Sequence, residues 1–335
     1  MSSNNTLLLT RGDIAKLLGI EECIAAVEDA FRLYGEGKVQ APSILGVHAA
    51  DGGFHIKAGI MNLGRSYFVA KANANFPKNK ELGLPTIQGV VIVCDAVDGR
   101  LLALMDSIEI TIIRTGAATA VAAKFLARKD ARTALICGCG SQGRISLEAI
   151  MKVRKLEKAF AYDIDAAEAR RFAETMSEKL GIEIAVVDDL RQAALESDIC
   201  VTCTTAHKYF LRSEYIAPGT FIAAVGADSG DKQELEPALL STSKIVTDIL
   251  DQSATIGELH HALEAGCVSR SEVHAELGDI VAGLKPGRES EEETIVFDST
   301  GMALQDVAAA VIVYERALET AGSTRVLAFN DQDPN

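Results

Sequence analysis

From residue 133 onward the chain alternates short, unbroken apolar runs with stretches of helical spacing. "TALIC" leads into a helical segment from Ser141 to Val153, and "KAFAYDID" into an amphipathic one from Ala166 to Leu180. "IEIAVV", a short helix near 189–196, "DICVTCTT", "TFIAAVGAD", "KIVTDI" and "ETIVFDST" continue the series. Strands buried on both faces read as continuous apolar runs, and their alternation with helices predicts an α/β fold with a doubly wound parallel sheet.

Residues up to about 115 keep a different rhythm. Helices are expected near 10–19 and 21–36, followed by the strands "FHIKAG", "YFVAKANA", "IQGVVIVCDA" and "LLALMD". The turn signals "DGG", "NLGR", "FPKN" and "VDGR" separate them. Short strands at short spacing suggest an antiparallel or mixed sheet, hence a separate α+β domain. A helix from about Thr115 to Arg128 then enters the doubly wound part, which puts Arg114 at a helix start. The last helix, roughly 302–321, lies beyond the final strand and is free to return to the first domain. The expected division is therefore 1–117 with 303–335, and 118–302.

The 335 residues are 48% hydrophobic and 24% charged, as in ordinary globular proteins. A net charge of −14 disfavours nucleic-acid binding, which needs clustered Lys and Arg. No apolar run reaches the length of a membrane span, and "MSSNNTLLLT" lacks the pattern of a leader, so a cytoplasmic protein without membrane partners is expected. The seven cysteines are scattered, and Cys200 and Cys203 of "CVTC" would point to opposite faces of a strand. His260 and His261 are adjacent on a helix and would point about 100° apart, and no metal is expected.

"LICGCGSQGR" carries the main chemical signal. Gly138, Gly140 and Gly143 form a G-x-G-x-x-G after a strand and at the opening of a helix, within a β-α-β unit. The glycines permit a tight turn, close approach of a pyrophosphate, and close helix–strand packing. Ser141 and Gln142 lie in that turn, where the helix N-terminus offers amides to the anion. The second strand ends at Asp163, 20 residues after Gly143, where a carboxylate takes the ribose hydroxyls and repels a 2′-phosphate. Asp165 is an alternative for that role. NAD is expected in preference to NADP, with Thr115 and Thr204 as further cofactor contacts. In the first domain Lys57, Lys71 and Arg114 stand in apolar surroundings, where buried cations call for an anionic partner. Beside a dinucleotide fold they suggest a clamp for a substrate carboxylate.

"KANANFPKN", "LPTIQGVVIV", "LLALMDSIEITIIRTGAATAVAAKFLAR", "GADSGDKQEL" and "HAELGDIVAGLKPGRE" with "VFDSTGMALQDVAAA" resemble the ornithine cyclodeaminase/μ-crystallin family over nearly the whole chain. The resemblance implies a central Rossmann domain that binds NAD(P), and a discontinuous second domain that binds substrate and forms a homodimer. By its motifs Lys71 and Arg114 match residues that hold the substrate carboxylate, and Asp228 matches the acid/base carboxylate. His55 stands where ornithine cyclodeaminases carry a Glu for the distal amine, and Ser43 where an Arg is common. Lys57, on the same side of a strand as His55, is a candidate replacement for that Arg, and both are candidate substrate contacts. The C-terminal blocks are closer to the alanine dehydrogenase-like branch. The function so implied is NAD-dependent oxidation or reduction at the C–N bond of a small α-amino or α-imino acid. The alternatives are a cyclodeaminase that recycles NAD, and a non-catalytic ligand binder like the crystallins.

Overall fold

The computed structural model describes residues 5–320 and 325–327. The chain opens with β1 (Thr6–Leu9), α1 (Arg11–Leu17) and α2 (Ile20–Gly35). Four long strands and a shorter one follow: β2 (Ser43–Ala49), β3 (Gly52–Asn62), β4 (Ser66–Asn75), β5 (Ile87–Asp95) and β6 (Leu101–Asp106), then helix α3 (Ser107–Leu126). The alternating part comprises β7 (Thr133–Cys137), α4 (Ser141–Ile150), β8 (Lys158–Tyr162), α5 (Ala166–Leu180), β9 (Glu183–Val186), α6 (Leu190–Leu195) and β10 (Ile199–Thr202). It continues through β11 (His207–Leu211), β12 (Phe221–Ala224), β13 (Gln233–Leu235), α7 (Pro237–Ser241), β14 (Lys244–Thr247), α8 (Leu250–Ile256) and α9 (Glu258–Glu264). β15 (Ala275–Glu276), α10 (Leu277–Val281) and β16 (Ile295–Asp298) complete it, and α11 (Ala303–Glu319) and β17 (Arg325–Leu327) follow.

Two compact units divide the chain: the described residues through Arg114 together with those from Met302 onward, and Thr115–Gly301. In the first, seven strands form one sheet in the order β17-β1-β6-β5-β4-β3-β2. β2 to β6 are a meander of antiparallel neighbours, and β1 pairs β6 in parallel. Alternation gives the sheet two faces. On one, Tyr67, Val69, Val91, Val93 and Met105 are buried, and α11 packs there. A Cβ on Gly59 would lie 3.0 Å from Leu304 of that helix, so glycine lets the helix lie close to β3. The opposite face presents Leu45, Val47, Phe54, Ile60 and Val90, each more than a third exposed.

In the second unit eight strands run in the order β15-β14-β16-β12-β10-β7-β8-β9, all parallel. The central strands β10, β12 and β16 are buried at every residue, as continuous apolar runs require. Asp165 caps α5 by accepting the Ala167 N–H, and Gly181 ends that helix in the left-handed conformation at φ 69°. β11 and β13 form a separate parallel pair.

One expectation is corrected. α3 begins at Ser107, not near Thr115, and Asp106 Oδ1 accepts the Ile108 N–H 2.9 Å away in its first turn. Arg114 therefore lies two turns inside the helix, where the dipole argument for an anion at a helix start does not apply. The β-branched residues of "SIEITII" are indifferent helix formers, and tertiary packing overrides that preference. Among the described residues no helix is long and apolar enough to cross a membrane.

Candidate active site

In the first unit the antiparallel register sets Lys57 of β3 directly opposite Lys71 of β4, and His55 opposite Asn73. All four belong to the face covered by α11. Lys71 and Arg114 are buried, at 2% and 6% exposure, and so is Lys57 at 7%. The anion that holds them comes from the chain itself. Asp306, on α11, receives Lys71 Nζ at 2.7 Å and Arg114 Nε at 3.0 Å on the same oxygen, Oδ1. Arg114 Nη1 donates to Gln305 Oε1 at 2.9 Å, and Lys71 Nζ also approaches Thr111 Oγ1 at 3.3 Å.

Burial, and then the neighbouring Arg114 guanidinium, push the Lys71 ammonium down to about 7, although Asp306 opposes the shift. For Asp306, burial alone would raise the carboxyl; Lys71 and Arg114 together outweigh it and hold the group below the usual range. Three polar atoms beside this cluster are buried with no hydrogen-bond partner: Asn73 Oδ1, Gln305 Nε2 and Asp306 Oδ2. Such atoms are rare in folded proteins and mark places where a further polar group belongs. The cluster therefore offers fixed cations and a donor for a carboxylate, with acceptors beside them for an amine.

Asp306 and Gln305 escaped the sequence reading. The available signal was a lone acid in "ALQDVAAA", where every neighbour on the helix but Gln305 is apolar or small.

In the second unit the glycine turn joins β7 to α4 as its pattern demands. Gly138 adopts φ 101°, a conformation that side chains rarely tolerate. A Cβ on Gly143 would stand 2.1 Å from the Gly138 carbonyl oxygen, so any side chain there would force the turn apart. Gly140 has open space around it and gives α4 no side-chain cap, so no capping side chain competes for the first amides of that helix, at Ser141 and Gln142. Gln142 Oε1 is buried without a partner. Asp163, just past the end of β8, accepts the Cys139 N–H from the turn at 2.8 Å and the Asp165 N–H at 2.9 Å. Uncapped helix amides, a close backbone turn, an orphaned amide oxygen and a strand-end carboxylate fit a dinucleotide. Asp165 spends its own carboxylate on capping α5.

The loops after β10 and β12 carry the other residues of interest. Thr204 donates its N–H and hydroxyl to Glu234 at 2.6 and 2.7 Å. Asp228, on the loop after β12, pairs with Lys232 at 2.5 Å and keeps 43% of its side chain exposed. Thr115 is buried on α3, and its carbonyl accepts the Thr119 hydroxyl at 2.9 Å. His260 and His261 come together rather than diverge: their ring centroids lie 5.1 Å apart. Together with Glu264 they place three potential ligand atoms within 4.8 Å of one another. His261 Nε2 meets the Lys232 carbonyl at 2.7 Å and so buttresses the Asp228 loop.

The model of the "Ornithine cyclodeaminase/mu-crystallin family" matches residues 4–321. An archaeal alanine dehydrogenase, solved as a dimer with bound NAD, is 39% identical with a TM-score of 0.91, over 96% of this chain and 99% of that one. Delta(1)-pyrroline-2-carboxylate reductase of Thermococcus litoralis, solved with NADH and L-proline, is 38% identical with a TM-score of 0.87, over 94% and 98%. Iminosuccinate reductase of Paracoccus denitrificans, solved with NAD+, is 31% identical with a TM-score of 0.88, over 96% and 99%.

Proposed function

The chain belongs to the ornithine cyclodeaminase/mu-crystallin family, and within it we propose an NAD-dependent oxidoreductase that acts at the C–N bond of a small α-amino or α-imino acid. The observation that carries the reading is the buried cluster of Lys71, Arg114 and Asp306, with its three orphaned polar atoms. It is built for a small molecule that carries a carboxylate and a nitrogen side by side. The alanine dehydrogenase, the pyrroline-2-carboxylate reductase and the iminosuccinate reductase share the fold and were solved with NAD or NADH.

Lys71 and Arg114 grip the carboxylate, and Gln305 Nε2 adds a donor to it. When bound, NAD supplies the hydride acceptor or donor; the protein fixes geometry and charge. Held near 7, Lys71 Nζ exchanges a proton with the substrate nitrogen at neutral pH. Asp228 carries a proton to or from water or ammonia. Asp163 selects NAD by repelling a 2′-phosphate. Lys57 and His55 line the side-chain end of the site.

The exposed apolar face of the first unit's sheet, with Leu45, Val47, Phe54, Ile60 and Val90, is the surface on which a second copy packs to make a homodimer. The archaeal relative described as a dimer supports this reading.

The test is a paired assay. Purified protein receives excess NAD and a panel of L-amino acids that includes alanine, aspartate, proline, ornithine and lysine, and both NADH and ammonia are quantified. Equal amounts from a primary amine are expected of a dehydrogenase, and NADH alone from proline would mark a cyclic imine reductase run backwards. Ammonia without net NADH would overturn the reading in favour of a cyclodeaminase.

A further inference from the structure

We propose that Glu234 is a positioning residue for catalysis: one buried carboxylate ties together the loops after β10 and β12, which carry Thr204 and Asp228. The inference rests on the reading above, in which the dinucleotide binds at the carboxyl ends of these strands and Asp228 moves a proton.

Glu234 lies on β13 and has no solvent exposure. Its Oε1 accepts the Thr204 N–H at 2.6 Å and the Thr204 hydroxyl at 2.7 Å. Oε2 accepts the Gly226 N–H at 3.2 Å. One oxygen therefore holds the loop after β10, and the other holds the loop after β12. A Cβ at Gly226 would sit 2.4 Å from Oε2, so the second loop reaches the carboxylate only because that residue is glycine. Lys232 then fixes Asp228 at 2.5 Å, and His261 fixes the Lys232 carbonyl at 2.7 Å. The loop that bears Asp228 is thus fastened at both ends, by Glu234 and by α9.

The carboxylate is itself held in place by two others. Glu258 accepts the N–H of Glu234 at 2.7 Å and of Leu235 at 3.0 Å, which fixes the backbone from which Glu234 projects. Asp298 accepts the Leu259 N–H at 2.9 Å and so fixes the first turn of the helix that carries Glu258. Each of the three is at most 1% exposed. Burial raises the titration of all three, the cost of taking carboxylates out of water. A core needing only shape would be built from apolar side chains at lower cost. What the carboxylates add is a series of fixed backbone amides that ends at the two loops. Acid/base chemistry depends on such placement, because a displacement of about 1 Å costs roughly 100-fold in rate.

The experiment uses the full chain with Glu234→Gln. The amide keeps the length of the side chain but presents an NH2 to donors that need an acceptor. Hydrogen exchange is read in peptides covering 202–206, 224–228 and the 138–143 turn, NADH affinity by calorimetry, and kcat and KM with the substrate found in the paired assay. Expected are faster exchange in the first two peptides with the third unchanged, and NADH binding weakened about tenfold. A kcat about 100-fold lower with nearly constant KM is expected too, since Lys71 and Arg114 are untouched. Glu234→Asp keeps the charge and is expected to recover part of the loss; it carries the same readouts if the Gln variant does not fold. Unchanged exchange and kinetics, or a uniform rise in exchange across all three peptides, would overturn the proposal. A wild-type chain that binds no NADH would sink the dinucleotide reading, while exchange would still decide what Glu234 holds.

Discussion

Lys71 Nζ stands 2.7 Å from Asp306 Oδ1, and both side chains are shut off from solvent. Arg114 shares that oxygen. Removing the carboxylate leaves the Arg114 guanidinium buried without its anion and takes from Lys71 the group that favours its ammonium. Asp306→Asn is expected to lower stability by about 3–5 kcal/mol, the cost of stranding a buried charge. Urea denaturation of the two proteins checks it, and an unchanged midpoint would sink the idea.

The same pair fixes a pH dependence. Lys71, held near 7, is neutral above that pH and protonated below it. In the oxidative direction the free amine is the base, so kcat/KM rises as pH climbs through about 7. The reductive direction draws on the ammonium and runs the other way. Lys71→Arg, which cannot titrate in this range, should lose that limb of the profile. Lys71→Met should abolish turnover while NADH binding, measured by calorimetry, stays intact.

Asp298 makes an opposite kind of statement, about stability. Burial first, and Asp248 nearby, push its carboxyl up to about 7, so the folded chain holds a proton that the unfolded chain releases near pH 4. A raised acid pKa favours folding at low pH, and the advantage fades as pH rises from about 4 through 7. Asp298→Asn should flatten that part of the stability curve, as seen in thermal unfolding across the range. A parallel curve for the variant would count against this origin.

Gly143→Ala should break the nucleotide turn, because the new methyl would lie 2.1 Å from the Gly138 carbonyl oxygen. NADH affinity is expected to fall at least about 100-fold, equal to roughly 3 kcal/mol. Asp163→Ser tests selectivity: the ratio of kcat/KM for NADPH over NADH should rise. No change in that ratio would remove Asp163 from the ribose.

Phe54→Glu places a charge on the exposed apolar face of the sheet beside Val47, its partner on β2. Light scattering should then report a monomer where the parent chain is a dimer. A parent that is monomeric at working concentration would argue that this face meets something else.

The parallel sheet was readable from the chain because β7, β10, β12 and β16 are buried on both sides and so are apolar at nearly every position. The glycine turn was readable because Gly138 and Gly143 each answer a local steric demand. β2 was not, since all seven of its residues are exposed and no core imposes alternation on it. The start of α3 was missed because tertiary burial, not propensity, sustains its first two turns. For the site, the cations stood out as charges in apolar runs. Their counter-ion did not: Asp306 belongs to an element 235 residues away from Lys71, and no local pattern couples the two.

That separation also orders events in time. A ribosome working at about 5–20 residues per second needs on the order of 10–50 s to travel from Lys71 to Asp306. Throughout that interval the nascent meander has a lysine to bury and nothing to bury it with. The closing of this unit thus waits on the arrival of α11, and a fragment released at Arg114 would be an unfinished domain, open along the face where its last helix belongs.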